Sequence, residues 1–166
     1  MIELEKGLRG SMNKKDLSER DICTKFITPA IIKSGWDLNT QIKEEVYFTP
    51  GKVIVRGKLV SRGKAKRADY ILYYKNNIPI AVVEAKDNNQ YVGAGMQQEI
   101  GYAETLDIQF VFSSNGDAFL FHDKTVDLGK KETELSLEQF PSPQTLWEKY
   151  KKFKNIEEPE VEEVFT

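Results

Sequence analysis

The segment DYILYYKNNIPIAVVEAK, residues 69–86, decides how the rest of the chain is read. Two runs rich in β-branched and aromatic residues flank Asn76-Asn77, and asparagine tolerates the left-handed backbone that tight hairpin turns require. The pattern predicts a hairpin with strands over 68–74 and 78–86. With Asn76 and Asn77 as the turn, Lys75 faces Ile78 and Asp69 faces Glu84, their Cβ atoms about 5 Å apart on one side of the sheet. Lys86 shares that side because strand side chains alternate. An apolar strand therefore ends in two opposed carboxylates and an ammonium. Opposed like charges destabilise a sheet and raise each other's pKa. A divalent cation between them removes that penalty, and Mg²⁺ suits one or two carboxylates completed by water and substrate phosphate. A cation-activated water beside a positioned ammonium is an arrangement fit for phosphodiester hydrolysis. The plain structural alternative is a pair of exposed strand carboxylates balanced by Lys86 and Arg67. A register slip of one residue would put the two acids on opposite faces.

Elements on either side of the hairpin predict an α/β fold, a mixed central sheet flanked by helices. Ser18 opens a helix, with Asp21 completing a capping box, and Ile22, Cys23, Phe26, Ile27, Ala30 and Ile31 recur at helical spacing. Thr28-Pro29 predicts a break or restart, and Gly35 a stop. Glu19 lies at a spacing from Ile22, Cys23 and Phe26 that points it along the inward stripe. Further strands are expected over 41–48, 52–60, 108–113 and 117–122, the last two joined by the Asn115-Gly116 turn. Helices are expected over 94–106 and 143–153, the latter with Trp147, Tyr150 and Phe153 on one face.

Composition narrows the chemistry. The 166 residues include one cysteine, Cys23, and one histidine, His122, which excludes an intrachain disulfide and multi-cysteine zinc sites. His122, in FLFHD, reads as a strand-end residue. Carboxylate and lysine chemistry is what remains. The net charge of −2 is unevenly spread: residues 52–67 hold seven basic residues and no acid, and residues 155–166 hold five acids and no base. The basic run ends at Lys64, Lys66 and Arg67, immediately before Asp69, where cations would suit a phosphate backbone. No apolar run reaches membrane-spanning length, and the N-terminus lacks a signal-peptide core, so the expected location is cytoplasmic, with no membrane partner.

Asp69 followed by Glu84-Ala85-Lys86 resembles the PD-(D/E)XK nuclease signature. Gln98 and Tyr102 in QEIGY, on the next helix, together with SERDICTKFITPAIIKSGW, resemble the N-terminal endonuclease domain of the restriction (motor) subunit of type I restriction-modification enzymes. The likeness runs from about residue 17 to 122, with Ala68 in place of the motif's proline. It implies a restriction-endonuclease-like core, with Asp69 and Glu84 binding Mg²⁺, Lys86 assisting the nucleophile, Glu19 as a candidate further metal carboxylate, and Gln98 and Tyr102 contacting DNA or ordering the site. It also implies double-stranded DNA and the modification and specificity subunits as partners. ATP would serve only a motor outside this sequence, since GKLVSRGKA (57–65) has the wrong glycine spacing and lacks the Ser/Thr of a phosphate-binding loop. The domain expectation is a polar lead-in over 1–15, an endonuclease domain over 16–154, and an acidic linker over 155–166 toward a translocase. The competing readings are a stand-alone nuclease of the same fold and a catalytically silent module that binds DNA or protein.

Overall fold

The computed structural model describes residues 13–49, 52–54 and 66–156. Lys64, the 57–65 segment, the remainder of the strand expected over 52–60 and the acidic residues from 157 onward lie outside them. Among the described residues seven strands form one sheet: β1 Ile42–Thr49, β2 Lys52–Ile54, β3 Lys66–Tyr73, β4 Pro79–Ala85, β5 Phe110–Ser114, β6 Ala118–Asp123 and β7 Glu132–Ser136. Their spatial order is β2-β1-β3-β4-β5-β6-β7. Neighbours are antiparallel except β4 and β5, which run parallel. A parallel pair cannot close through a tight turn, and helix α2, Met96–Leu106, makes the crossover.

The turn falls at Asn76-Asn77, with Ile78 N–H donating to Lys75 O at 2.9 Å, but neither asparagine takes the left-handed backbone expected of it. The strands beyond it are less regular than a plain hairpin. Tyr74 N–H also reaches Ile78 O, so two residues of the first strand face one of the second. Tyr73 then pairs with Pro79 and Leu72 with Ala81, leaving Ile80 as the extra residue on β4. Proline has no N–H to give to the ladder, and a bulge beside it is the usual accommodation. The two irregularities cancel. From Leu72 to Tyr70 the pairing is that of the simple turn, ending at Tyr70 opposite Val83, and the next position brings Asp69 alongside Glu84.

Helix α1 runs through Glu19–Ile22, a π-helical turn Cys23–Ile27, and Thr28–Lys33. The expected restart falls at Thr28-Pro29, where the last α-helical segment begins with the proline in its first turn and no break in the helical backbone. Pro29 has no N–H for the Lys25 carbonyl and its ring would crowd that carbonyl. The chain widens by one residue instead, with Thr28 N–H reaching back to Cys23 O. Ser18 and Asp21 form the capping box. Gly35, at φ +110°, ends the helix; its N–H meets Ile32 O and that of Trp36 meets Ile31 O, the pattern of a Schellman stop.

Helix α3, Pro143–Lys154, packs with α1 on one face of the sheet, where Ile22, Ile27, Ile31 and Trp147 meet Tyr70, Val83 and Phe112. On α3, Leu146 and Trp147 are buried and Tyr150 half-buried, but Phe153 stands largely in solvent, so the expected three-aromatic face is only partly used. Helix α2 covers the opposite face with Met96 and Ala103 on Ile71, Val82 and Val111. Each such large apolar side chain contributes about 1.5–3 kcal/mol by leaving water.

One segment departs from expectation. Residues 132–136 form β7 at the sheet edge, although ETELS carries no apolar alternation; the strand leads into a 3₁₀ turn, Leu137–Gln139, which delivers Phe140 against the Phe112 ring at 4.5 Å. Within the expected lead-in, Lys14 Nζ bonds Gly116 O at 2.7 Å and the Asp117 carboxylate at 2.9 Å. No described helix is long and apolar enough to cross a membrane.

Candidate active site

Asp69 and Glu84 lie near the end of the β3–β4 pair, 7% and 6% exposed. The Ala85 N–H donates to Asp69 Oδ2 at 2.8 Å, which fixes that carboxylate to the neighbouring strand's backbone. Asp69 Oδ1 faces the Arg67 guanidinium at 3.5 Å. Glu19 reaches the same point from the opposite layer. It is the first residue of α1, and because Asp21 is engaged in the capping box, Glu19 is the first-turn carboxylate left to face the sheet. One oxygen from each of Glu19, Asp69 and Glu84 lies within 4.8 Å of the other two. Burial and the Asp69 carboxylate raise the Glu19 pKa, against the opposing pull of Lys86. Three hard oxygen ligands converging from three elements fit Mg²⁺ or Mn²⁺ by ligand type.

Lys86 leaves β4 with its N–H bonded to Ser114 O at 2.8 Å. Its side chain and that of Glu84 pass over Gly95, the residue that caps the start of α2. A Cβ on Gly95 would stand 2.9 Å from Glu84 Cγ and 3.0 Å from Lys86 Cε. The glycine is thus the space in which both side chains turn toward Asp69, and composition alone does not reveal that role.

One turn along α2 from Gly95 lies Glu99, which the sequence reading did not single out. It is 0% exposed, and its carboxyl lies within hydrogen-bonding contact of Glu84, so that a proton held by one acid is shared with the other. Burial raises the pKa of both acids, and for Glu84 contact with the Asp69 and Glu99 carboxylates raises it further. A signal was present: Met96, Glu99, Ala103 and Leu106 follow helical spacing, and Glu99 occupies a core position in that stripe.

Gln98 and Tyr102 meet as the i, i+4 spacing predicts, with Gln98 Nε2 donating to Tyr102 Oη at 2.5 Å. The Tyr102 ring is buried, edge-on to Phe48 at 5.1 Å, with Lys66 Nζ 5.7 Å from its centroid. Arg67 bridges Asp69 and Glu45, the latter at 3.3 Å. Glu45 sits on β1 between the Glu44–Tyr70 and Val46–Ala68 pairs, at the position facing Asp69. Its φ of +52° is left-handed backbone in mid-strand, a conformation that costs a non-glycine residue about 1–2 kcal/mol.

The loop from Lys86 back to Gly95 is clamped at alternate carbonyls. Lys15 Nζ bonds Asn88 O at 3.1 Å, Asn115 Nδ2 bonds Gln90 O at 2.7 Å, and Ser113 Oγ bonds Val92 O at 2.7 Å. The buried Asn88 returns a bond from its Nδ2 to Asn115 O at 2.9 Å. His122 takes no part; on β6 its Nδ1 pairs with Glu132 Oε2 at 2.9 Å across the strand edge.

A mixed sheet with helices on both faces, and acids gathered at the end of an E-x-K strand, define the restriction-endonuclease-like class. Comparison with known proteins carries this to a family. The family profile described as the type I restriction enzyme R protein N terminus matches residues 52–130. The endonuclease subunit of the type I restriction enzyme EcoAI from Escherichia coli is 51% identical over 140 residues, which is 84% of this chain and 17% of that protein. A solved fragment assigned to the HsdR subunit of a type I restriction enzyme from Vibrio vulnificus YJ016 superposes with a TM-score of 0.72 at 41% identity, over 87% of this chain and 27% of that one. The chain belongs to the family of type I restriction enzyme R-protein N-terminal domains. It spans less than a fifth of the curated relative's length.

Proposed function

We propose that this chain is the DNA-cutting domain of a type I restriction subunit, a Mg²⁺-dependent endonuclease that hydrolyses phosphodiester bonds of double-stranded DNA. The observation that carries the reading is the convergence of Glu19, Asp69 and Glu84 within 4.8 Å, with Lys86 turned over the same glycine as Glu84. Asp69 and Glu84 would hold the cation, with Glu19 as a further ligand. When bound, the cation polarises the phosphoryl group and lowers the pKa of a water nucleophile. Lys86 orients that water and offsets charge developing on the phosphate. Arg67 and Lys66 stand at the rim where a phosphate backbone approaches, and Gln98 and Tyr102 order the α2 side. Sequence choice and translocation belong to other parts of a type I assembly: the specificity and modification subunits, and an ATP-driven motor.

The deciding experiment is Mn²⁺-supported nicking of supercoiled plasmid by the wild type, Asp69→Ala and Lys86→Ala, with Mn²⁺ affinity measured alongside. The reading requires loss of nicking in both variants, and loss of Mn²⁺ affinity in Asp69→Ala alone. Equal Mn²⁺ affinity in wild type and Asp69→Ala would refute it.

A further inference from the structure

Glu45 is strained where the strand itself demands no strain. Its φ of +52° lies in the middle of β1, yet the pairs on both sides, Glu44–Tyr70 and Val46–Ala68, keep one offset, so no register shift accounts for it. A left-handed non-glycine residue persists only where its surroundings hold it, and such residues gather at functional sites. Two arginines flank this one: Glu45 Oε1 lies 3.3 Å from Arg67 Nη1 and 3.9 Å from Arg20 Nη1. Arg20 is anchored more closely by Glu44, at 2.9 Å, so the stronger tie of Glu45 is to Arg67. With side chains 43% and 52% exposed, Arg67 and Glu45 form an ion pair too open to water to be explained by stability. Arg67 turns its other nitrogen, Nη2, toward Asp69 Oδ1 at 3.5 Å. An unconstrained arginine grips a carboxylate with two nitrogens at about 2.7–2.9 Å, and here the guanidinium gives its hydrogen bond to Glu45 instead. Asp69 Oδ2 already accepts the Ala85 N–H, which makes Oδ1, the oxygen that Arg67 faces, the one with room for a cation.

We infer that Glu45 is a positioning residue for Arg67: it draws the guanidinium off Asp69, so that Oδ1 stays open to a cation while the arginine stays beside it for a phosphate. Without the Glu45 carboxylate, Arg67 closes on Asp69 as a direct pair and competes with the cation for the same oxygen. The inference rests on the cation-dependent reading above, and its test separates the two.

The test is Mn²⁺ calorimetry without DNA on wild type, Glu45→Gln, Glu45→Gly, Arg67→Ala, the double variant Glu45→Gln/Arg67→Ala, and Asp69→Ala, with urea unfolding of each. Glu45→Gln is expected to weaken Mn²⁺ binding about tenfold, a coupling of the size that neighbouring residues reach. In the Arg67→Ala background the same substitution is expected to change the affinity little, because no guanidinium remains to close on Asp69. Glu45→Gly removes the left-handed strain along with the carboxylate. It is expected to withstand more urea than Glu45→Gln yet to lose as much Mn²⁺ affinity, whereas a merely structural role would move the two together. An equal loss with and without Arg67 would mean that Glu45 acts on the cation by its own charge, and overturns the inference. Unchanged Mn²⁺ affinity in both Glu45 variants, with binding lost in Asp69→Ala, overturns it and leaves the cation site standing. No Mn²⁺ binding by the wild type overturns both.

Discussion

Gly95 and Glu84 are in such close contact that a methyl group on the glycine would stand 2.9 Å from Glu84 Cγ. The contact lies near the root of a buried side chain, not at a mobile tip, so it cannot be relieved by a small rotation. Gly95→Ala is expected to destabilise the fold by about 1–3 kcal/mol, the usual cost of overpacking, and to weaken Mn²⁺ binding by displacing Glu84. Urea unfolding and Mn²⁺ calorimetry on the same sample check both effects.

The Glu84–Glu99 pair makes stability depend on pH in a defined direction. Burial raises both acids above 4.5; contact with Asp69 and Glu99 adds to the rise at Glu84, while at Glu99 the hydrogen bond with Glu84 and the charge of Lys86 oppose it. The folded state therefore binds more protons than the unfolded one above that pH, and stability falls as pH increases. In chelator, wild type is expected to be more stable at pH 5 than at pH 8. Glu99→Gln, whose amide can donate to Glu84, is expected to gain about 1–3 kcal/mol at pH 8 and less at pH 5. Urea midpoints across that range decide it; a difference independent of pH would contradict the coupling.

The clamps on the loop between Lys86 and Gly95 predict a local effect. Asn88→Ala removes the donor to the Asn115 carbonyl and is expected to cost about 1–3 kcal/mol. Amide hydrogen exchange over residues 87–92 should accelerate more than in β5. Equal acceleration everywhere would mean that the bond supports only the global fold.

Arg67 stands where a phosphate would approach, yet it is held by Asp69 and Glu45. Arg67→Ala is expected to weaken binding of duplex DNA and to lower the salt dependence of that binding by about one counterion. Anisotropy titrations at several ionic strengths measure the slope. An unchanged slope would place the phosphate contacts elsewhere.

The sequence reveals most of this architecture where local rules and burial agree. Asn115-Gly116, the Ser18–Asp21 box and Gly35 each specify their own geometry through a few neighbouring atoms, while Asn76-Asn77 marks its turn without the left-handed backbone that singled it out. β7 was not visible, because an edge strand of mostly exposed residues needs only backbone partners from β6. The ends of the site were harder still. Glu84 interrupts an obvious apolar run, so it draws notice; Glu99 interrupts a helical stripe, where one acid in four positions passes for a surface residue. The closeness of Gly95 to Glu84 and Lys86 depends on how α2 docks, which no local pattern encodes. The bulges around Pro79 would have defeated the register argument had they not cancelled.

The widened turn at Cys23–Ile27 also sets the angular phase of α1. One inserted residue rotates the first turn of the helix by about 100° relative to the last. Both halves of α1 key into the core, the later through Ala30 and Ile31 and the earlier through Ile22 and Cys23, and the widened turn between them sets the phase at which Glu19 faces the sheet. Deleting one residue between Cys23 and Ile27 would restore an even spiral and swing Glu19 away from Asp69 and Glu84. The proline that forces the insertion thus acts as a timing element for a carboxylate ten positions earlier.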